Sequence, residues 1–216
     1  MRVAVVGNGR LGGVLANGWA RAGHWVVIGS RNPVTDDGRA LGVAAIHEAA
    51  ADADVVVNAT PGAHALDLLT AQPSGWLDGR VLLDVSNADD GRGALTYPDG
   101  SLAERIQDAF PRAAVVKALN TFNRTIMVDP GLLPEPTTVF MSGDHADAKA
   151  TVGSLLSDLG WQNEQILDLG PLRTAQAVEH MIPLYYAIRD ALGTRDFNYR
   201  VVSTRGREHL DDQDAG

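Results

Sequence analysis

The first 31 residues constrain the fold more than any other part of the chain. An apolar run, RVAVV, leads directly into GNGRLG at residues 7–12, and an alanine-rich segment follows at residues 15–22. A second apolar run, WVVI, occupies residues 25–28. This order predicts a strand, a glycine turn, a helix and a second strand, which is the context that gives a G-x-G-x-x-G motif its meaning.

Each glycine of the motif has a predicted role. Gly7 permits the tight turn, Gly9 lets backbone N–H groups approach a pyrophosphate, and Gly12 lets the helix pack closely on the strand. The helix N-terminus presents the positive end of its dipole to the phosphates. The motif therefore predicts dinucleotide binding, and a glycine-rich turn without a ligand is the alternative.

The tip of the second strand indicates which dinucleotide binds. NAD sites place Asp or Glu about 20 residues after the glycines, where the carboxylate binds the ribose 2′-OH. Ser30 and Arg31 stand there instead, and a hydroxyl beside a guanidinium suits a 2′-phosphate. Asp36 and Asp37 lie too far along the chain to replace the missing acid. The sequence favours NADP(H) over NAD, the alternative being that Arg31 is an ordinary solvated charge.

Composition narrows the class of protein. A chain of 216 residues fits one nucleotide-binding domain with a modest addition. The net charge of −9 argues against nucleic acid and anionic membranes as partners, and the absence of cysteine excludes disulfides, thiolate nucleophiles and Fe–S clusters. No apolar run approaches the roughly 20 residues of a membrane span. The first strand starts at once, without a leader, so we expect a cytoplasmic protein.

Apolar runs and helical patterns alternate along the rest of the chain. They predict an α/β fold, a Rossmann-type doubly wound, mainly parallel sheet with a small C-terminal α/β extension. Residues 1–143 form the predicted dinucleotide-binding domain, residues 144–202 a C-terminal portion packed on it, and residues 203–216 a disordered acidic tail. Further strands are predicted at residues 43–45, 54–59, 81–84, 114–118, 138–142, 165–169 and 198–202, and helices at 47–53, 65–71, 101–110, 146–159 and 174–192, the last interrupted or kinked at Pro183.

Polar residues, Gly or Pro follow each predicted strand of the first domain. The later examples are Thr60-Pro61, Ser86-Asn87 and Asn120-Thr121. Ligands of doubly wound sheets bind beyond the carboxyl ends of the strands. We therefore expect these pairs to line one crevice together with the glycine motif and the Ser30-Arg31 tip.

Five segments, taken in order, carry a family resemblance. They are the N-terminal segment ending in GSRNP, then DVVVNATPGAHA, RVLLDVSNA, AVVKALNTFN and ILDLGPLRTAQAVEHMIPLYYAI. The chain resembles the coenzyme F420-dependent NADP oxidoreductases, also called NADPH-dependent F420 reductases. It is also similar to the cytosolic domain of the six-transmembrane epithelial ferrireductases. The match covers nearly the whole chain apart from the acidic tail, and the GSR tip and the VVKAxNT strand end are its most specific parts.

The resemblance implies direct hydride transfer between NADPH and a deazaflavin ring. The protein then holds two rings face to face and needs no catalytic acid or base. A last strand near Phe197 would close over the deazaflavin. The implied contacts are Gly7, Gly9, Arg10 and Leu11 for the pyrophosphate, with Asn8 in the same loop; Ser30 and Arg31 for the 2′-phosphate; Thr60, Pro61 and His64 for the nicotinamide ribose, with Ser86 and Asn87 opposite; and Asn120, Thr121, Phe122 and Asn123 for the deazaflavin.

Two departures from the family pattern affect these expectations. Family members often carry another basic residue shortly after the GSR tip, whereas none precedes Arg39 here. This difference predicts weaker selectivity for NADP over NAD. Residues 120–136 are the least motif-like part of the match, so the electron partner is less constrained than the dinucleotide.

Several polar side chains allow two interpretations. Lys117, in a buried strand, either approaches cofactor phosphates or substrate or pairs with a carboxylate. His64 either contacts ligand or stabilises a turn, and His180 is either a general acid or an ordinary polar helix position. His145, at a helix start, is predicted to cap that helix. His47-Glu48 lacks the second histidine of H-E-x-x-H, so no metal site is predicted.

The sequence as a whole predicts an NADP-dependent oxidoreductase that transfers hydride between NADPH and coenzyme F420, with FMN or FAD as the alternative acceptor. The rival functions are a flavin or ferric reductase, an imine or ketone reductase, and an NADPH-binding redox sensor without turnover. Imine or ketone reductases of the β-hydroxyacid or pyrroline type usually carry a larger, all-helical C-terminal domain than the ~70 residues after Asp144 provide. A homodimer is a further prediction, through the apolar residues Met181, Ile182, Leu184 and Tyr185.

Overall fold

The computed structural model describes residues 1–33 and 41–204. Eight strands within these residues form one sheet. Most are short, buried runs rich in valine, which suit a sheet that is covered on both faces. The strands are β1 (Arg2–Val6), β2 (Trp25–Ser30), β3 (Gly42–Ala45), β4 (Val55–Asn58), β5 (Val81–Asp84), β6 (Ala114–Ala118), β7 (Val139–Gly143) and β8 (Ile166–Asp168).

The strand order is that of a dinucleotide-binding sheet. It runs β3-β2-β1-β4-β5-β6-β7-β8. All neighbouring pairs are parallel except β6 and β7, which are antiparallel. The first six strands reproduce the 3-2-1-4-5-6 order of the doubly wound fold. The predicted Rossmann-type, mainly parallel α/β sheet is confirmed, and β7 and β8 continue it at one edge.

Helices cover both faces of the sheet, and alternate side chains of β1 show how. Val3 and Val5 belong to a core cluster that includes Trp19, whereas Ala4 and Val6 belong to a second cluster on the opposite face. The side-chain period of two residues in a strand produces this division. The helices are α1 (Arg10–Arg21), α2 (Ile46–Ala50), α3 (Ala65–Thr70), α4 (Leu102–Ala109), α5 (Arg124–Met127), α6 (Ala146–Asp158), α7 (Ala175–Glu179) and α8 (Ile182–Leu192).

The predicted helix at residues 174–192 is two helices, α7 and α8. The interruption falls at His180 and Met181, before Pro183 rather than at it. Pro183 lies in the first turn of α8, where its missing N–H has no intrahelical partner to lose. The proline therefore lies at the beginning of a helix and does not kink one.

The predicted strand at residues 198–202 is wrong. The chain there is extended, and the Thr138 N–H donates to the Tyr199 carbonyl (2.8 Å). The neighbouring N–H groups of Tyr199 and Val201 donate instead to side-chain oxygens of Asn198 and Thr138. Because side chains take these donors, no regular ladder forms.

Several predictions about larger organisation stay predictions. They are the domain boundary at residue 143, the disorder of the acidic tail and the homodimer. Residues 205–216 of the tail lie outside the described part of the chain. Of the four residues proposed for the dimer, Leu184 is 49% exposed and Ile182 is buried. Within the described ranges, no helix is both long and apolar enough to cross a membrane.

Candidate functional site

The glycine motif forms the turn between β1 and α1. Gly7 has φ of +121°, and a Cβ there would lie 2.7 Å from the Ala59 carbonyl oxygen. A Cβ on Gly12 would lie 1.9 Å from the Gly7 carbonyl oxygen. Neither position admits a side chain without moving backbone. At Gly9 no atom lies within 4 Å of the Cβ position, so this glycine leaves open space above the helix start.

The N-terminus of α1 is arranged to bind an anion. Its N-cap is Gly9, which offers no side-chain capping bond, and its first turn holds no acidic residue. The first N–H groups of a helix have no intrahelical acceptor. These donors and the helix dipole point toward the space above Gly9, where a phosphate would satisfy them.

The tip of β2 supplies a hydroxyl and a positive charge. The Ser30 hydroxyl donates to the Asn32 carbonyl and accepts from the Asn32 N–H, both at 3.2 Å. These bonds hold a tight turn that presents the exposed Arg31. No carboxylate occupies Ser30–Asn32, so the tip suits a 2′-phosphate rather than a free 2′-OH. Asp36, Asp37 and Arg39, which the sequence analysis considered, lie outside the described residues.

One cavity of about 830 Å³ runs along these elements. Its size is typical of a small-molecule site. It extends from the α1 N-terminus and the β2 tip to the loop after β4 and one face of α3. Ten of the fourteen predicted site residues line it, namely Gly7, Asn8, Gly9, Arg10, Leu11, Ser30, Arg31, Thr60, Pro61 and His64.

The other four predicted residues, Ser86, Asn87, Asn120 and Thr121, lie beside this cavity rather than on its wall. Ser86 is buried, with its hydroxyl 2.7 Å from the Thr60 carbonyl oxygen. Thr121 is buried as well. The loop after β4 also approaches closely here, since a Cβ on Gly62 would lie 2.1 Å from the Asn87 carbonyl oxygen. Gly62 is thus a close-packing glycine that sequence reasoning missed, although the TPG turn was its signal.

Asn87 and Asn120 join the ends of β5 and β6. Asn87 Nδ2 donates to the Asn120 main-chain carbonyl (2.6 Å), which can only accept, so Asn87 Oδ1 must face Asn120 Nδ2 (2.9 Å). Asn120 Oδ1 is then left buried, without a partner among the described residues. The preceding Leu119 has φ of +62°, a strained conformation for a buried leucine that recurs at functional sites.

Lys117 pairs with carboxylates, which decides between its two interpretations. Its Nζ lies 2.7 Å from Asp84 Oδ2 and 2.8 Å from Glu179 Oε1, and it also donates to the Ser86 carbonyl. Burial lowers the pKa of Lys117, but the two carboxylates raise it by more, so the pKa stands above the ordinary lysine value. The lysine is therefore a charged, fully buried group beneath the strand ends.

The buried ion group reaches into the neighbouring elements. Asp84 Oδ1 accepts from Asn58 Nδ2 (2.8 Å), and Asn58 Oδ1 accepts from the Thr60 hydroxyl (2.6 Å). Glu179 accepts the N–H groups of Leu102 and Ala103 at the start of α4. The group thus connects the cavity wall at Thr60 with α4 and α7. Sequence reasoning missed Asp84 and Glu179, because only the fold brings them to Lys117.

The histidines fall in different settings. His64 lines the cavity at the end of a short 3-10 helix, Gly62–His64. His145 occupies the N-cap of α6 but makes no side-chain capping bond there, so its predicted capping role is wrong. The neighbouring Asp144 accepts the N–H of Leu172, a residue outside α6. Across the described ranges, no group of His, Cys, Asp and Glu is arranged to hold a metal ion.

Aromatic residues form a cluster close to the segment that follows β6. Tyr185 stacks on Phe197 with ring centroids 5.1 Å apart, and Tyr199 contacts the edge of Phe197. Asn123, just beyond Asn120 and Thr121, donates to Asp196 (3.0 Å). Phe197 therefore lies near the end of β6, although no strand carries it there.

The strand order, the glycine turn and the anion-binding helix together define a Rossmann-type dinucleotide-binding protein. The family model described as "NADP oxidoreductase coenzyme F420-dependent" matches residues 2–88. Over 186 residues the chain is 31% identical to Metalloreductase STEAP3 of Rattus norvegicus, covering 85% of this chain and 36% of STEAP3. The chain therefore spans about a third of that relative's length.

Two solved structures resemble most of the chain. A protein of Arthrobacter sp. FB24, described provisionally as an F420-dependent NADP reductase, is 39% identical; the match covers 94% of this chain and 100% of that one, with a TM-score of 0.87. A hypothetical protein of Sinorhizobium meliloti is 30% identical, covering 81% and 88%, with a TM-score of 0.66. The chain belongs to the family of coenzyme F420-dependent NADP oxidoreductases. Its class is that of the NADP-dependent oxidoreductases, and NADP(H) is the dinucleotide that its Ser30-Arg31 tip suits.

Proposed function

We propose that this chain transfers a hydride between NADPH and coenzyme F420. The observation that carries the proposal is the cavity of about 830 Å³ that joins an uncapped helix N-terminus and a Ser-Arg tip to the polar end of β4. The dinucleotide half of this arrangement matches NADP(H), and the family description supplies the deazaflavin as the second ring.

In this proposal the N–H groups of the first turn of α1 bind the pyrophosphate, and Ser30 and Arg31 bind the 2′-phosphate. Thr60, Pro61 and His64 lie along the nicotinamide ribose. The remaining predicted residues border the far side of the nicotinamide and the acceptor ring, namely Ser86, Asn87, Asn120 and Thr121.

The reaction requires the side chains mainly to hold the two rings in position. NADPH supplies the hydride, and the acceptor ring takes it when the two rings are held face to face. The chain binds and orients the rings and keeps water from the space between them. The buried Lys117 group suits this task, because it fixes the strand ends from beneath and is fully enclosed by protein.

A second candidate is reduction of an ordinary flavin. The similarity to Metalloreductase STEAP3 favours it, since that protein is named for metal reduction. In this version the acceptor ring is FMN or FAD, and ferric iron receives electrons from it. The dinucleotide half of the site is the same in both candidates, so only the acceptor separates them.

The test is rapid mixing of the purified chain with NADPH and oxidised F420, following the loss of deazaflavin absorbance. NADH replaces NADPH, and FMN or FAD replaces F420, in parallel reactions. We expect fast bleaching with NADPH and F420 and much slower reaction in the other combinations. Bleaching with FMN or FAD alone would establish the second candidate. NADPH binding without turnover on any acceptor would overturn both and leave a redox sensor.

A further inference from the structure

The wall of the cavity opposite the phosphate cradle is one face of a helix. His64, Asp67, Leu68 and Ala71 all line the cavity, and their spacing of three and four residues places them on the same side of α3 and its flanking turns. Ile46, at the start of α2, lines it as well and is buried. This wall is apolar except for His64 and a single carboxylate, that of Asp67.

The apolar part of the wall begins directly beside the β2 tip. A Cβ on Gly29 would lie 3.2 Å from the Ile46 Cα, so Ile46 packs against the last residues of β2. A 2′-phosphate on Ser30 and Arg31 belongs to the adenosine ribose. The base attached to that ribose would then lie close to the tip, next to Ile46.

A carboxylate is an unexpected group in a cavity built for phosphates. Asp67 is exposed to the cavity, and an ionised carboxylate can only accept hydrogen bonds. It would repel the ligand's phosphates, so its placement is favourable only where the ligand offers a donor. NADPH carries ribose hydroxyls, a carboxamide and the exocyclic amine of adenine as donors, and of these the adenine amine is the one attached to a purine base, which suits an apolar wall next to the 2′-phosphate tip.

We infer that Ile46, Leu68 and Ala71 form the purine subsite and that Asp67 accepts a hydrogen bond from the adenine amine. Asp67 is then the residue that sets base specificity. This inference rests on the proposed NADP function and adds the base to it. The ligand-independent alternative for Asp67 is a favourable charge in the first turn of α3, next to the helix dipole.

The experiment compares binding of NADPH with that of its hypoxanthine analogue, in which a carbonyl oxygen replaces the amine. Nicotinamide fluorescence of the full chain follows both titrations. A charge-assisted hydrogen bond corresponds to about tenfold or more in affinity. We therefore expect the wild type to prefer NADPH by at least that factor, and Asp67→Ala to bind both nucleotides within about twofold of each other, since the proposed acceptor of the amine is then absent.

Asp147→Ala is the matched control. Asp147 is likewise an exposed acid in the first turn of a helix, α6, but it does not line the cavity. Its loss should leave the preference for NADPH unchanged. If the wild type binds NADPH and the analogue equally, or if Asp67→Ala weakens both equally, the base assignment is wrong while the proposed function stands. If the wild type binds neither, the proposed function itself is overturned.

Discussion

The two ends of the crevice are built by different interactions. At the dinucleotide end, the contacts come from backbone N–H groups and an exposed tip within residues 7–31. At the other end, buried side chains from distant parts of the chain meet: Lys117 bonds Asp84 across 33 residues, and Glu179 bonds Leu102 across 77. One end is formed by residues close together in the sequence, and the other by residues that only the fold brings together.

This difference separates ligand selectivity from folding. The exposed tip of β2 contributes little to the core, so changes there should alter which nucleotide binds. The buried ion group is enclosed by protein on every side, so changes there should alter the free energy of unfolding first. Comparing variants at the two ends therefore tests whether the β2 tip affects mainly nucleotide selectivity and the buried ion group mainly stability.

The largest effect is expected for Lys117→Met. The substitution keeps an unbranched apolar stem but leaves Asp84 and Glu179 buried without their cation. Breaking a buried ion pair in this way costs about 3–5 kcal/mol of unfolding free energy. Urea denaturation at neutral pH measures the loss.

Lys149→Met is the control for the removal of a paired lysine. Lys149 Nζ lies 2.8 Å from Asp168 Oδ2, close to the distance in the buried pair, but this pair reaches solvent. Surface pairs contribute at most about 1 kcal/mol. Similar losses in the two variants would show that burial does not make the Lys117 group special.

The Lys117 contribution should also depend on pH in one direction. Its folded pKa is raised, so its stabilising effect is fully present below the pKa of an unfolded lysine, about 10.4. It is lost as the pH rises through the folded pKa. The stability difference between the wild type and Lys117→Met should therefore hold steady from about pH 7 to 9 and narrow above about pH 10, as followed by thermal unfolding across that range. A difference that widens above pH 10 would contradict the assignment of the charge.

The sequence was sufficient where its signal was local. The glycine turn, the short buried strands and the ten cavity residues follow from patterns a few residues long, such as RVAVV before GNGRLG. The partners of Lys117, in contrast, cannot be predicted from local patterns. A buried lysine needs a carboxylate or another acceptor as its partner, but the sequence around AVVKA does not indicate which residues these are. Asp84 lies in β5 and Glu179 in α7, and only the fold brings them to Lys117.

The two corrections concern the acceptors of backbone N–H groups. Residues 198–202 are predicted as a strand, yet side chains of Asn198 and Thr138 take the N–H groups that a ladder needs. There, competition between side chain and backbone for a donor decides the outcome, and sequence spacing does not resolve that competition. His145 stands at a helix start, but its side chain does not cap the helix; its position in the sequence predicts the N-cap residue and not the direction of the side chain.

At the dinucleotide end, Gly12→Ala should destabilise the turn itself. Its Cβ would meet the Gly7 carbonyl oxygen at 1.9 Å, and such overpacking costs about 1–3 kcal/mol. Gly13→Ala, one residue on, has no atom within 4 Å of its Cβ position. There the higher helix propensity of alanine should add about 0.5–1 kcal/mol of stability. Chemical denaturation of the pair tests the contrast, and equal effects would rule out close packing at Gly12.

Arg31→Glu should separate selectivity from stability. The reversed charge repels a 2′-phosphate and offers an acceptor to a 2′-OH, so NADPH affinity should fall about tenfold or more while NADH affinity changes little. The unfolding midpoint should stay unchanged, because Arg31 is exposed. Fluorescence titration with both nucleotides measures the ratio of the NADPH affinity to the NADH affinity. Equal weakening of the two would remove the 2′-phosphate role from Arg31.

The smallest effect concerns α4, a helix whose start is bonded by both a local side chain and a distant one. Ser101 is a local N-cap, accepting the Glu104 N–H at 3.1 Å, while Glu179 accepts two further N–H groups from a distance. Ser101→Ala should lose about 1 kcal/mol in urea denaturation. Ser154→Ala, an exposed serine within α6, should lose nothing. If Glu179 compensates for the missing hydroxyl, the Ser101→Ala loss will vanish, and the distant carboxylate will have to be counted as the main cap of α4.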